Sequence, residues 1–199
     1  MRTKALLCCA ALAAGLATSA VAQSNVYSLN IVGYVNTSLT NGFTLISNPL
    51  DNGTNDLNSL FPSANLGDTI YKWGGTSFNS AVFFGTWSPD AITPPGQGFF
   101  YQAGAVQTNT FVGNVMTGSL TNHINAGFNL VANQAPVSDT LDNLKVPATL
   151  GDTVYLYRNG GYVSSTFFGT WTPSLSPGVG EGFWVNAASA EDWVQTFNP

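Results

Sequence analysis

Cysteine is missing from this chain beyond its ninth residue: the only two, Cys8 and Cys9, stand in the N-terminal stretch. No disulfide framework can brace the rest, and the thiolate ligands of a usual structural zinc site are not there. Charge is scarce too. Five Lys and Arg against ten Asp and Glu, in 199 residues, leave a formal net charge of −5. Such a surface repels a phosphate backbone, which excludes nucleic acid as a partner, and it offers an anionic membrane too few cations. There is one histidine, His123, and no G-x-S-x-G or cysteine nucleophile to go with it. Alone, it reads as a solvated residue in a surface hairpin. Long apolar runs are also missing: none after residue 22 reaches the ~20 residues of a membrane helix.

The N-terminal stretch has the features of an export leader. Arg2 and Lys4 precede the apolar run Ala5 to Ala17, and Ala20-Val21-Ala22 forms an A-x-A site. Cleavage is expected before Gln23. Leu7 ahead of Cys8 does not suit a lipoprotein anchor. The mature chain then has 177 residues, no cysteine and a net charge of −7, with Lys72, Lys145 and Arg158 its only cations. It must stand on its core and its backbone pairing, and its Phe, Tyr and Trp content suits that, each ring burying roughly 150–250 Å².

What the chain has in abundance is itself. LGDTIYKW, FFGTWSP and GQGFF, from Leu66 to Phe100, return as LGDTVYLY, FFGTWTP and GEGFW, from Leu150 to Trp184, at a constant offset of 84. GFTLISNP at Gly42 returns as GFNLVANQ at Gly127, an offset of 85. A period this long, with turns and aromatics in register, marks a duplicated structural unit.

In order, Val26 to Asn36 reads as a strand with Gly33 as a bulge or close contact, and Phe43 to Ser47 as a second strand buried on both faces. Asp51 to Asp56 (DNGTND) has the look of a calcium loop but puts Asp56 where glycine is required and Pro62 where glutamate is. A helix cap explains it: Leu57, Leu60 and Phe61 are at helical spacing before Pro62, as Leu141 and Leu144 are before Pro147. A strand follows over Asp68 to Trp73, with Gly67 and the Asp68 carboxylate shaping its entry. Gly74-Gly75 and Asn159-Gly160 turn hairpins, the first into Phe78 to Phe84. Gln97 to Gln102 reads as a central buried strand. Thr108 to Val115 resembles both the first strand and the last, so it is expected to close one unit and open the next. Trp193 to Phe197 is the final strand.

The motifs VYSLNIVGYVN, GFTLISNPL, PPGQGFF, TFVGNV, GFNLVANQ and GEGFWVNAASAEDW resemble a family of secreted β-rich repeat proteins abundant in Verrucomicrobia and related bacteria. The GF-x-L and G-x-GF pieces are also similar to repeats in exported surface proteins of Bacteroidetes. The resemblance covers nearly all of the mature chain. It implies an exported β-rich protein and brings no catalytic residues.

The expected fold is all-β: a pseudo-twofold duplicated β-sandwich or partly open barrel with one short helical turn per repeat. Residues 1–22 are the leader, 23–112 the first repeat and 113–199 the second, packed as one compact unit. No catalytic set, cofactor or metal is expected. Asp68 and Asp152 occur once in each repeat, and their turn context accounts for them; a glycosidase pair would need its carboxylates ~5–10 Å apart in a cleft. Glu181 stands where the first repeat has Gln97, and Glu191 and Asp192 make a solvated turn. Trp87 and Trp171 can be read two ways, as core rings or as exposed platforms that stack on sugar. The expected function is an exported, non-enzymatic structural or adhesive protein, extracellular, on the cell surface or in the periplasm. Its partners are copies of itself through β-edges, or envelope polysaccharide. The alternatives are a carbohydrate-binding module using Trp and Asn, and, less consistent with the cap helices, an outer-membrane barrel.

Overall fold

Each repeat makes the same turn at its LGD motif. Gly67 and Gly151 adopt φ of +88° and +96°, a conformation residues with a Cβ rarely take. The carboxylates of Asp68 and Asp152 fold back to accept the N–H of Asn65 at 3.0 Å and of Thr149 at 2.8 Å. The chain leaves each turn extended, and alternation then sends successive side chains to opposite faces.

The computed structural model describes residues 31–198. The leader, the start of the strand expected from Val26, and Pro199 lie outside the described residues. The first unit contains β1 (Val32–Leu39), β2 (Gly42–Ser47), α1 (Leu57–Leu60), β3 (Thr69–Trp73), β4 (Phe78–Phe83), β5 (Trp87–Ser88), β6 (Gly98–Ala103) and β7 (Gln107–Asn114). The second contains β8 (Gly118–Ile124), β9 (Gly127–Ala132), β10 (Thr153–Arg158), β11 (Gly161–Phe167), β12 (Trp171–Thr172), β13 (Gly182–Ala187) and β14 (Glu191–Phe197). Topology repeats with the strand number raised by seven. Sheet β2-β6-β3-β4-β5 matches β9-β13-β10-β11-β12, and the antiparallel ribbon β1-β7 matches β8-β14. The sheets stay open, so the architecture is a duplicated sandwich and not a closed barrel. No helix among the described residues is long and apolar enough to cross a membrane.

In each unit the ribbon closes over one face of the five-stranded sheet and encloses a core. Leu39 and Phe111 from the first ribbon meet Ile70, Phe83 and Phe99 from its sheet, with Phe61 just after α1 wedged between. Trp193 from the second ribbon meets Val154, Leu156, Trp171 and Phe183. Phe83 and Phe167 have matching surroundings: each lies against the following tryptophan with ring centroids at 5.5 Å and 5.4 Å.

β7 pairs along its length with β1, Gly113 opposite Gly33, and ends the first unit only; the second opens with its own strand, β8. The likeness between Ile31–Val35 and Phe111–Val115 is therefore one between partner strands. Gly33 sits in unbroken register, so there is no bulge, but a Cβ there would come within 3.3 Å of Leu50 and Val115. His123 lies in β8 and not in a hairpin loop. Asp192 lies in β14 opposite it, and the two side chains meet at 2.7 Å. Asp56 caps α1 as expected, accepting from the Ser59 N–H at 2.9 Å. The second unit has a hydrogen-bonded turn at residues 141–145 in place of a helix, with Lys145 at φ +55° where the first unit has Phe61.

The outer faces of the two five-stranded sheets meet at a seam built by the G-x-GF motifs. The Ser47 N–H donates to the Gly180 carbonyl at 2.8 Å, and the Ala132 N–H to the Gly96 carbonyl at 2.9 Å. Ile46 bridges Glu181 while Val131 bridges Gln97. Residue i of one unit meets j of the other and j meets i, the reciprocity of a twofold contact. Gly98 and Gly182 permit it: a Cβ on either would stand 2.9 Å from the Val131 carbonyl or 2.8 Å from the Ile46 carbonyl.

Candidate functional site

Because strand residues alternate, each sheet that buries Phe99 or Phe183 in its own core turns Phe100 or Trp184 toward the seam. Leu45, Phe100, Leu130 and Trp184 form the buried seam cluster, with Tyr71, Trp73, Tyr155 and Tyr157 packed around it. The rings continue outward from there. Phe43, Phe78, Phe128 and Tyr162 are 44%, 42%, 50% and 54% exposed and wall a groove along the seam.

The groove holds two hollows of about 400 Å³ and 440 Å³. Phe43, Tyr71, Phe78 and Phe100 line the first, faced by Tyr157, Tyr162 and Trp184. Phe128, Tyr155, Tyr162 and Trp184 line the second, faced by Trp73 and Phe78. The two sets are related by the repeat offset, except that Trp184 also reaches into the first. The geometry follows: Phe100 meets Tyr157 across the seam at 5.4 Å and 80°, and Trp184 meets Trp73 at 5.3 Å and 77°. These are edge-to-face contacts, the favoured arrangement of aromatic quadrupoles. They leave slots between rings instead of one flat platform.

A polar hollow extends each end of the groove. One, about 770 Å³, runs past Thr40, Asn41, Thr44, Asn159, Arg158 and Glu181. The other, about 520 Å³, runs past Gln97, Asn122, His123, Asn125 and Asn129. Here the units have diverged. Arg158 donates to both Glu181 carboxylate oxygens at 2.7 Å, a bidentate pair that holds the guanidinium pKa above its ordinary value. Gly178 N–H also donates to Glu181 at 2.7 Å. Glu181, expected to be a tolerated swap for Gln97, thus anchors one end of the groove. The aromatic floor between the ends carries no charged side chain.

The sequence candidates fall elsewhere. Trp87 and Trp171 are 3% and 2% exposed, and their indole N–H groups donate to the carbonyls of Phe61 and Val146. Neither has a face to offer a ligand. The platform reading of these two residues is overturned, because the two-residue strands β5 and β12 turn them into the cores. Trp193 is core as well, and only Trp73 and Trp184 border the groove. Asp68 is buried and accepts from the Asn65 and Gly104 N–H groups, the Tyr101 hydroxyl and the Gln107 amide, at 2.6–3.0 Å. Burial acts to raise its pKa, and the Gly104, Tyr101, Asn65 and Gln107 donors outweigh that and hold it low. Asp152 accepts from Thr149 and Ala188 in its own unit, so the two carboxylates serve separate turns. In the Asp51–Asp56 loop, Asp51 accepts from Gly53 and Asn55 while Asn52 accepts from Asn55. Among the described residues no three His, Cys, Asp or Glu side chains converge.

The groove was missed in the sequence, though a signal was there. Tyr71 and Trp73, like Tyr155 and Tyr157, stand two apart on the strand face opposite Ile70 and Val154, so both faces of one sheet are apolar. Compared with known protein families, curated proteins and solved structures, the chain matches none.

Proposed function

We propose that the chain is an exported, non-enzymatic β protein with a structural or adhesive role at the cell surface, and that the seam groove is its contact surface. One observation carries this reading: the rings left exposed in the groove come in matched pairs, Phe43 with Phe128 and Phe78 with Tyr162. A contiguous apolar patch of this kind marks an interaction site more often than a surface accident. The buried carboxylates support a non-enzymatic role, since their oxygens are taken up by turn N–H groups and, at Asp68, by Tyr101 and Gln107. The reading agrees with the secreted family that the motifs resemble.

A second reading places envelope polysaccharide in the groove. It is favoured by the amide and hydroxyl side chains of both end hollows, which suit sugar hydroxyls, and by the uncharged floor between them. The test uses the chain from Gln23 with bacterial envelope fragments and soluble neutral glucans as probes. Trp73 and Trp184 report occupancy by fluorescence. Binding is expected to be lost when Phe43, Phe128 and Tyr162 are all changed to Ser. The groove has no contact role if that variant retains envelope binding at wild-type strength, or if the wild type binds neither probe nor itself.

A further inference from the structure

The duplication is an internal control on which exposed apolar residues matter. Each unit has drifted from the other, so an exposed apolar side chain present in both calls for a reason. Eight of the exposed large apolar residues form four such pairs. Two pairs are the groove rings, Phe43 with Phe128 and Phe78 with Tyr162. The other two are Leu66 with Leu150 (77% and 71% exposed) and Phe84 with Phe168 (74% and 67% exposed). The remainder, Val32, Tyr34 and Val106 among them, have no exposed large apolar counterpart at the repeat offset.

Leu66 and Phe84 share one tip. The Gly67 N–H donates to the Phe83 carbonyl at 2.9 Å, and the Phe83 N–H to the Asp68 carbonyl at 3.0 Å. Those bonds tie the entry turn of β3 to the exit of β4. Leu150 and Phe168 share the matching tip, tied through Gly151, Phe167 and Asp152 at 2.9 Å. Among the described residues these four side chains belong to neither core nor to the seam cluster, and the ties at each tip are made by backbone.

We infer that each tip is the occupant of an aromatic hollow in a second copy of the chain, so that molecules join tip to groove in an open-ended assembly. This rests on the structural or adhesive reading above and names its partner. Three features support a second copy. A tip cannot reach the groove of its own molecule: Phe78 borders the groove and Phe83 the tip, at opposite ends of a strand where five residues span about 17 Å. Charge selects the pairing: copies of a chain carrying −7 after export repel one another, whereas residues 65–67 and 84–86 hold no charged side chain and neither does the aromatic floor. Finally, the floor continues the buried cluster of Leu45, Phe100, Leu130 and Trp184, already an interface of one β unit with another. Tip and hollow are different surfaces, so their contact is heterologous, and a heterologous contact that does not close on itself propagates as a filament.

Complementation tests it. A tip variant carries Leu66→Ser, Phe84→Ser, Leu150→Ser and Phe168→Ser. A groove variant carries Phe43→Ser, Phe128→Ser and Tyr162→Ser. Sedimentation velocity is run on the chain from Gln23 over a hundredfold concentration range, with thermal melting to confirm that each variant is folded. The wild type is expected to shift to larger species with concentration, and each variant alone to remain monomeric. A mixture of the two is expected to associate, because one supplies hollows and the other tips. A tip variant that assembles like the wild type overturns the proposal, as does a mixture that stays monomeric. A wild type that stays monomeric yet responds in tryptophan fluorescence to a neutral glucan also overturns it, while leaving the groove as a contact surface for sugar.

Discussion

The two cores have one shape and different fillings. In the first, Phe61 lies among Trp87, Phe99, Tyr101 and Phe111, with ring centroids 5.2–6.1 Å away. At the repeat offset the second unit has Lys145 for Phe61, Val185 for Tyr101 and Gln195 for Phe111. Three rings are gone. Trp193 takes up that space, coming from β14 where the first unit has Asn109, and its indole donates to the Leu144 carbonyl at 2.8 Å. A core must be filled to native density, and the fold leaves open which strand or turn supplies the volume. The same exchange explains the helix. With Phe61 replaced by Lys145, no ring pulls the end of that turn inward, and the chain leaves through a left-handed residue instead. The seam behaves differently. Its cross-seam pairs, Phe100 with Tyr157 and Trp184 with Trp73, keep place, distance and tilt because each half is packed against the other's copy of the same surface.

The largest expected effect would sharpen the contrast between the cores. Phe61→Ala and Trp193→Ala should each cost about 3–5 kcal/mol, as truncation of a buried ring does. Both should shift one common transition, since the seam couples the units. Urea unfolding followed by far-UV circular dichroism and by tryptophan fluorescence would show it; two separated transitions would mean that the cores melt independently.

Next comes the seam itself. Gly98→Ala or Gly182→Ala should cost about 1–3 kcal/mol by overpacking, because the new methyl meets backbone carbonyls that cannot rotate away. Retention of wild-type stability in both would break the claim that these glycines set the approach of the sheets.

The turns come third. Asp68 takes four donors and Asp152 two. Asp68→Asn is therefore expected to cost about 2 kcal/mol and Asp152→Asn about 1 kcal/mol less, given ~1.5–3 kcal/mol for hydrogen bonds to charged groups. The sign of the pH dependence follows. Asp68 has a lowered pKa in the folded state, so the unfolded state binds the proton more readily. Its contribution is present above the unfolded value of about 3.9 and is lost as pH falls through the folded value. The acid side of the stability curve should flatten in Asp68→Asn, as measured by melting temperature between pH 2 and pH 6.

The smallest effect is at the tips. Phe84→Ser and Phe168→Ser should leave monomer stability within about 0.5 kcal/mol, as surface substitutions do. Calorimetry in dilute solution would show a larger loss if these rings served the fold.

The repeat, the LGDT turns, the Asp56 cap and the central place of β6 were legible in the residues, because each depends on a local preference or on alternation within a few positions. The ribbon pairing was not. β1 meets β7 across about seventy intervening residues, and Thr108 to Val115 looked like a shared strand because partner strands facing one core have similar composition. Trp87 and Trp171 remained ambiguous for a related reason: a tryptophan beside a turn has the same local signature whether it points in or out.

The residues alone carry the doubling of one β unit, the turns at Gly67 and Gly151, and the lack of any cysteine beyond Cys9 that could brace the strands. Those are properties of turns, periodicity and composition. Tertiary structure alone decided that Phe100 and Trp184 face each other's unit and that Phe84 and Phe168 face water. Alternation says only that neighbouring residues take opposite faces, and what lies against each face is set by contacts between residues far apart in the chain.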